Sequence, residues 1–223
     1  MKLIKKDLLL KCSQDKLAEI YGVFEKKPLL DLDSLNANET ALIIVDLING
    51  FAKEGALKSP RVSSLIPAIR DLSQKCIKEG IAILAFADSH SIDSPEFLSY
   101  PVHCLAETSE SQGVDEIKEL GEFKVVAKNS TNGFLEPVFQ QWLKQNAHIK
   151  NFIVVGDCTD ICIEQFSLTL KCNFNRQNSQ SRIIVPINMV DTFDLGIHYA
   201  ELMNIMALLF MQNSGIELVS AVV

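Results

Sequence analysis

Four apolar, mostly β-branched or aliphatic runs each end at or just before side chains that can do chemistry. Ala41–Val45 delivers Asp46, Ile81–Ala87 delivers Asp88, Phe123–Ala127 delivers Lys128, and Phe152–Val155 runs through Gly156 to a short turn holding Cys158 and Cys162. A carboxylate can take a thiol's proton and an amine can hold the resulting thiolate, so Asp46, Lys128 and Cys162 have the makings of an activated nucleophile. Each alone has a plainer role: a structural acid bonded to backbone amides, a lysine marking a strand end, a packed cysteine. Cys162 gains weight from its place at the first turn of a helix expected from about Asp160, where free backbone N–H groups lower a thiol's pKa and can hold an oxyanion.

A second cluster follows Asp88. His90 lies two residues on, on the same side of an extended chain, and Glu96 and His103 occur in the loop beyond. Two imidazoles with carboxylates suit one divalent ion, Zn²⁺ above Mn²⁺ or Fe²⁺, and Asp93 is an alternative acidic ligand. His148 and His198 read as solvated and structural respectively, His198 on the first turns of the last long helix. Asp160 reads as that helix-start's cap, and Phe193 and Tyr199 as packing residues.

These residues can meet only if the runs share a sheet edge. Continuous apolar runs separated by helical segments read as strands of a parallel sheet buried on both faces, and ligands bind outside the carboxyl ends of such strands. Helices are expected near 60–79, ended by Gly80, then near 113–120, 136–147 with Trp142 on the buried face, 160–171 and 194–213. Further strands are expected over Arg182–Pro186 and Ile216–Val222. The stretch Asn173–Ser181 reads as a mobile polar loop. Residues 1–39 form an N-terminal extension with a short amphipathic helix on Leu8, Leu9, Leu10, Leu17, Ile20 and Phe24; residues 40–223 form the main domain.

The chain has 223 residues, 48% hydrophobic, with a net charge of −7, which suits one full-sized core and argues against nucleic acid bound on a broad basic surface. Six cysteines without framework spacing point to a reducing, cytoplasmic setting. The start, Met1–Lys11, imitates a signal peptide but is broken by Asp7 and Lys11, and no run reaches membrane-spanning length.

Three words carry a resemblance over Thr40 to the end of the chain: Asp46-Leu-Ile-Asn-Gly-Phe51, Lys128-Asn-Ser-Thr-Asn-Gly-Phe134 and Gly156-Asp-Cys-Thr-Asp-Ile-Cys162. They resemble the signature segments of the isochorismatase-like cysteine hydrolases. The resemblance implies a three-layer α/β/α fold with a mostly parallel, doubly wound central sheet. It also implies an Asp46–Lys128–Cys162 triad, a cis peptide at Asp157–Cys158, and an oxyanion hole of the Cys158 and Cys162 amides. Asn132-Gly133-Phe134 departs from the more usual Ser-Ala-Phe, and Cys158 stands where a smaller residue is common.

The metal-type cluster is similar to that of the nicotinamidase branch, in which Asp88, His90, His103 and Glu96 would hold the ion that binds a substrate ring nitrogen. Phe51 and Tyr100 match positions lining its aromatic pocket. The resemblance therefore implies an amidohydrolase converting nicotinamide to nicotinate and ammonia, assembled as a homo-oligomer. The alternatives are another small amide or carbamoyl substrate, or a catalytically silent binding module.

Overall fold

Why the apolar runs become strands is plain from their burial. In β1 (Thr40–Val45) all six residues are buried, and β4 (Asn151–Asp157) is buried from its second residue on. The remaining strands are β2 (Ala82–Asp88), β3 (Lys124–Lys128), β5 (Arg182–Pro186), β6 (Val190–Asp191) and β7 (Glu217–Val219). The protein is described here from a computed structural model covering residues 5–223; Met1–Ile4 of the leader-like start lie outside the described residues. All pairings are parallel, in the order β3-β2-β1-β4-β5-β7, with β6 beside β4. The chain winds outward from β1 through β2 and β3, then returns to start again at β4 on the other side. The reversal point lies between β1 and β4, where doubly wound sheets open a crevice.

Helices cover both faces. On one side α2 (Asn49–Ala52), α3 (Pro60–Glu79) and α4 (Asp115–Lys118) pack with Leu42, Ile44 and Val155; on the other α5 (Pro137–Gln145), α6 (Glu164–Arg176) and α7 (Ala200–Asn213) pack with Ile43, Val45 and Val154. The boundaries of α3 follow from local chemistry. Ser59 Oγ accepts from the Arg61 amide at 3.3 Å, Pro60 supplies a preset φ in the first turn, and Gly80 closes the helix in the left-handed region at φ 74°. Val62, Leu65, Ile69 and Leu72 then share its buried face, each contributing about 1.5–3 kcal/mol on full burial.

The parallel register brings the chemistry to one edge. Val45 lies opposite both Phe86 and Gly156, and Asp88 lies opposite Lys128. The close β1–β4 approach requires Gly156. Its φ is 117°, and a Cβ there would stand 1.9 Å from the Val45 carbonyl oxygen.

Several expectations are corrected. β3 is an edge strand, with Lys124, Val125 and Ala127 exposed and only Val126 and Lys128 buried, so it is covered on one face rather than two. β6 was not foreseen, because two residues carry no periodic signal. Helix α6 runs on through Arg176, shortening the polar connection to 177–181. Helix α7 starts at Ala200, which leaves His198 in the preceding loop. In α5 the buried anchor is Phe139, and Trp142 is half-buried and stacked against it. Ahead of β1, helix α1 (Lys6–Phe24) buries Phe24 but leaves Leu8, Leu9 and Leu10 exposed. Leu30, Leu32 and Leu35 enter the same core as α3, and Leu30 and Leu32 bond through their backbone to Ala221 and Val223. Among the described residues no helix is long and apolar enough to cross a membrane.

Candidate active site

Asp46 leaves β1 in the left-handed region, φ 54°, a conformation that short polar side chains tolerate better than most. This turns its carboxylate across the strand ends. Oδ1 accepts from the Asp88 amide at 3.1 Å, and Oδ2 lies 2.8 Å from Lys128 Nζ. Lys128 is buried because Val126 and Lys128 project from the inner face of the edge strand. Its ammonium also bonds Asp88 Oδ1 and the Ser130 carbonyl at 3.2 Å, and it stands 3.6 Å from Cys162 Sγ.

Cys162 is carried differently from the ordinary helix start expected of it. A cis peptide joins Asp157 to Cys158, and Thr159–Ile163 forms a π-type turn before α6 begins at Glu164. Single π turns of this kind often sit at functional sites. The helix-end argument also predicted a depressed thiol pKa, and the opposite holds. Burial pushes the Cys162 thiol well above its usual value, and Lys128 offsets only part of the rise. The same burial lifts Asp46 to about 7, with Lys128 pulling against it. Burial alone would lower Lys128, but Asp46, Asp88 and Cys162 hold it well above its ordinary value. Burial also pushes Asp88 up, yet Lys128 and His90 pull harder, and its carboxyl ends below the ordinary value. The resting site is thus a neutral thiol beside a fixed ammonium and a carboxyl that titrates near neutrality, the match that proton transfer needs.

The structure brings the four predicted metal-type residues together. Asp88, His90, Glu96 and His103 each offer one donor atom, all within 4.8 Å of one another. His103 Nδ1 faces the Pro101 carbonyl at 2.8 Å, and His90 Nδ1 faces Asn129 Oδ1 at 3.0 Å. Both partners are acceptors, so each Nδ1 carries the hydrogen and each Nε2 is left with a lone pair. His90 Nε2 is buried without a hydrogen-bond partner, 3.6 Å from Asp88 Oδ1. His103 Nε2 lies 3.9 Å from Asp88 Oδ2, and His90 Nε2 is 3.9 Å from Glu96 Oε1. Such a donor set fits a divalent cation. Asp93 is exposed and outside the group. Asp46, Asp88 and Cys162 make a second close set, but the Lys128 ammonium already occupies its centre.

Each cluster reaches one cavity through some of its members, Cys162 from the first and Asp88, Glu96 and His103 from the second, and Cys158 and aromatic side chains complete the lining. Phe51 and Tyr100 are among them, with ring centroids 5.7 and 6.2 Å from His103.

Residues 40–171 match the isochorismatase domain family. The chain belongs to that family. It is 30% identical to a curated protein of Arabidopsis thaliana, Nicotinamidase 1, over an alignment spanning 93% of this chain and 95% of that protein. Among solved structures it resembles a pyrazinamidase/nicotinamidase of Streptococcus mutans (TM-score 0.69, 20% identity, 81% of this chain and 99% of that one). It also resembles a pyrazinamidase of Pyrococcus horikoshii solved with zinc (TM-score 0.68, 22% identity, 81% and 98%). Both solved structures share the fold.

Four residues escaped sequence reasoning. Phe97 stands edge-on to both His90 and His103, at 5.6 Å from each, and Asn129 orients His90; neither has a spacing signal in a loop, although Asn129 directly follows Lys128. Phe193 lines the cavity rather than merely packing. Asp160 does not cap a helix; its Oδ2 meets His198 Nε2 at 2.8 Å. His148 is exposed, as expected.

Proposed function

We propose that this protein is a nicotinamidase-type amidohydrolase, converting nicotinamide to nicotinate and ammonia through a thioester on Cys162. The observation that carries the reading is that Cys162, backed by Lys128 and Asp46, lines the same aromatic-walled cavity as Asp88, Glu96 and His103 of the metal-type group. The kinship with a curated nicotinamidase adds to it.

Asp46 takes the Cys162 proton while Lys128 stabilises the thiolate and keeps Asp46 aligned. Sulfur attacks the carboxamide carbon, and the developing oxyanion rests on the backbone amides of Cys158 and Cys162. Asp46 returns the proton to the departing nitrogen, and ammonia leaves a thioester. Asp46 then deprotonates the water that hydrolyses it, restoring the thiol and releasing nicotinate. Asp88, His90, Glu96 and His103 would hold a divalent ion, Zn²⁺ in our reading, which supplies a Lewis-acidic anchor for a heteroaromatic ring nitrogen. Phe51 and Tyr100 confine the ring, so positioning carries much of the rate gain. Six free thiols support a reducing cytoplasmic setting, and the exposed leucines of α1 support a homo-oligomer.

Ammonia release from nicotinamide, before and after chelation and beside a panel of aliphatic amides and carbamoyl compounds, tests the reading. Turnover of nicotinamide that falls on chelation and returns with Zn²⁺ is expected. Preference for an aliphatic amide, or no turnover of any amide, overturns it.

A further inference from the structure

His198, in the loop between β6 and α7, ties that loop to the nucleophile turn. His198 Nε2 lies 2.8 Å from Asp160 Oδ2, in the π-type turn that bears Cys162, and its Nδ1 lies 2.8 Å from the Phe193 carbonyl. Its ring stacks on the Phe193 ring with centroids 4.2 Å apart and planes 11° from parallel. The other edge of that loop is also fixed. Leu195 and His198 exchange backbone hydrogen bonds at 3.0 and 2.9 Å across a turn made by Gly196, and Asp194 Oδ1 accepts from the Ala200 amide at 2.8 Å. A loop restrained this heavily is not a passive connection. Its one aromatic side chain in the cavity wall is Phe193, which belongs to neither the acid–thiol group nor the metal-type group.

We propose that Phe193 is a specificity-determining residue for planar aromatic carboxamides, and that His198 is the positioning residue that holds it there by clamping the loop to Asp160. The inference rests on the proposed amidohydrolase reading and deepens it. The two His198 contacts use opposite ring nitrogens, so a side chain that reaches only one of the two partners restores only part of the clamp. With the clamp lost, the cavity wall loosens while Asp46, Lys128 and Cys162 keep their mutual contacts, so substrate capture suffers more than chemistry.

The experiment compares wild type with His198→Ala, His198→Gln, Phe193→Ala, Phe193→Leu and the His198→Ala/Phe193→Ala double variant, each checked for folding by circular dichroism. For His198→Ala and Phe193→Ala we expect KM for nicotinamide to rise about tenfold with kcat changing less than about threefold, the scale of a remodelled apolar pocket. His198→Gln and Phe193→Leu should recover part of the loss and serve if the alanine variants fail to fold. The double variant should resemble Phe193→Ala, since both changes remove one wall. A second readout needs no turnover: alkylation of Cys162 by a bulky maleimide, followed by mass spectrometry, should be faster in His198→Ala than in wild type. Unchanged KM and alkylation rate overturn the proposal, as does a loss confined to kcat. If wild type hydrolyses no nicotinamide, the amidohydrolase reading fails by itself, and the alkylation comparison still decides the clamp.

Discussion

Replacing Lys128 by Met keeps the length of the side chain and removes the ammonium that pairs with both Asp46 and Asp88. The contact to Asp46 is 2.8 Å, and Lys128, Asp46 and Asp88 are all at most 2% exposed, so water cannot take over the lost role. Leaving buried charge unpaired in this way costs about 3–5 kcal/mol. For a chain of this size each kcal/mol moves Tm by about 2–4 °C, so Tm should fall by about 6–20 °C. The deficit should also depend on pH. Lys128 is the chief group pulling Asp46 and Asp88 down, so both carboxyls rise when it is gone. A carboxyl whose folded pKa stands above its unfolded value binds more protons when folded. Its contribution is complete at low pH and is lost as pH rises through the folded pKa, so the deficit should be larger at about pH 8 than at about pH 5.5. Thermal unfolding by circular dichroism, on chelator-treated protein so that metal binding does not add stability, measures both effects. A Tm within about 3 °C of wild type, or a deficit of the same size at both pH values, would refute the view of Lys128 as the charge that holds this site together.

Cys162→Ala should abolish ammonia release while Tm, followed by the same unfolding assay, changes little, since a small apolar residue replaces a thiol kept neutral by burial. His103→Ala should lose metal retained after dialysis, read by elemental analysis, and raise KM for nicotinamide more than it lowers kcat. Gly156→Ala should yield little folded protein by gel filtration, because its Cβ would collide with the Val45 carbonyl where β1 and β4 join. Treating residues 1–39 as an appendage can be tested by truncation. Removal through residue 27 should leave a folded chain, whereas removal through 39 strips Leu30, Leu32 and Leu35 from the core at about 1.5–3 kcal/mol each, lowering Tm sharply.

What the sequence determined by itself is the gathering of the site. Parallel strands all end at the same edge, so the residue after each apolar run is placed beside the others by topology; this is why Asp46, Asp88, Lys128 and the Cys158–Cys162 turn could be read as one group. The two-residue step from Asp88 to His90 likewise keeps both on one side without further information. Glu96 and His103 were legible from their donor types alone, since nothing in a loop sequence fixes where it folds back.

Only the tertiary structure decided the rest. The protonation balance at Cys162 depends on how much surrounding protein excludes water, a sum over the fold that no local pattern contains; hence the helix-end expectation of a lowered thiol pKa gave way to burial. The exposure of β3 depends on its being last in the strand order, which its apolar run does not announce. The contact of His198 with Asp160 joins residues 38 apart through the pairing of the two-residue strand β6 with β4. A side chain's type is written in the sequence, but its dielectric surroundings and distant neighbours come into being only when the chain closes on itself.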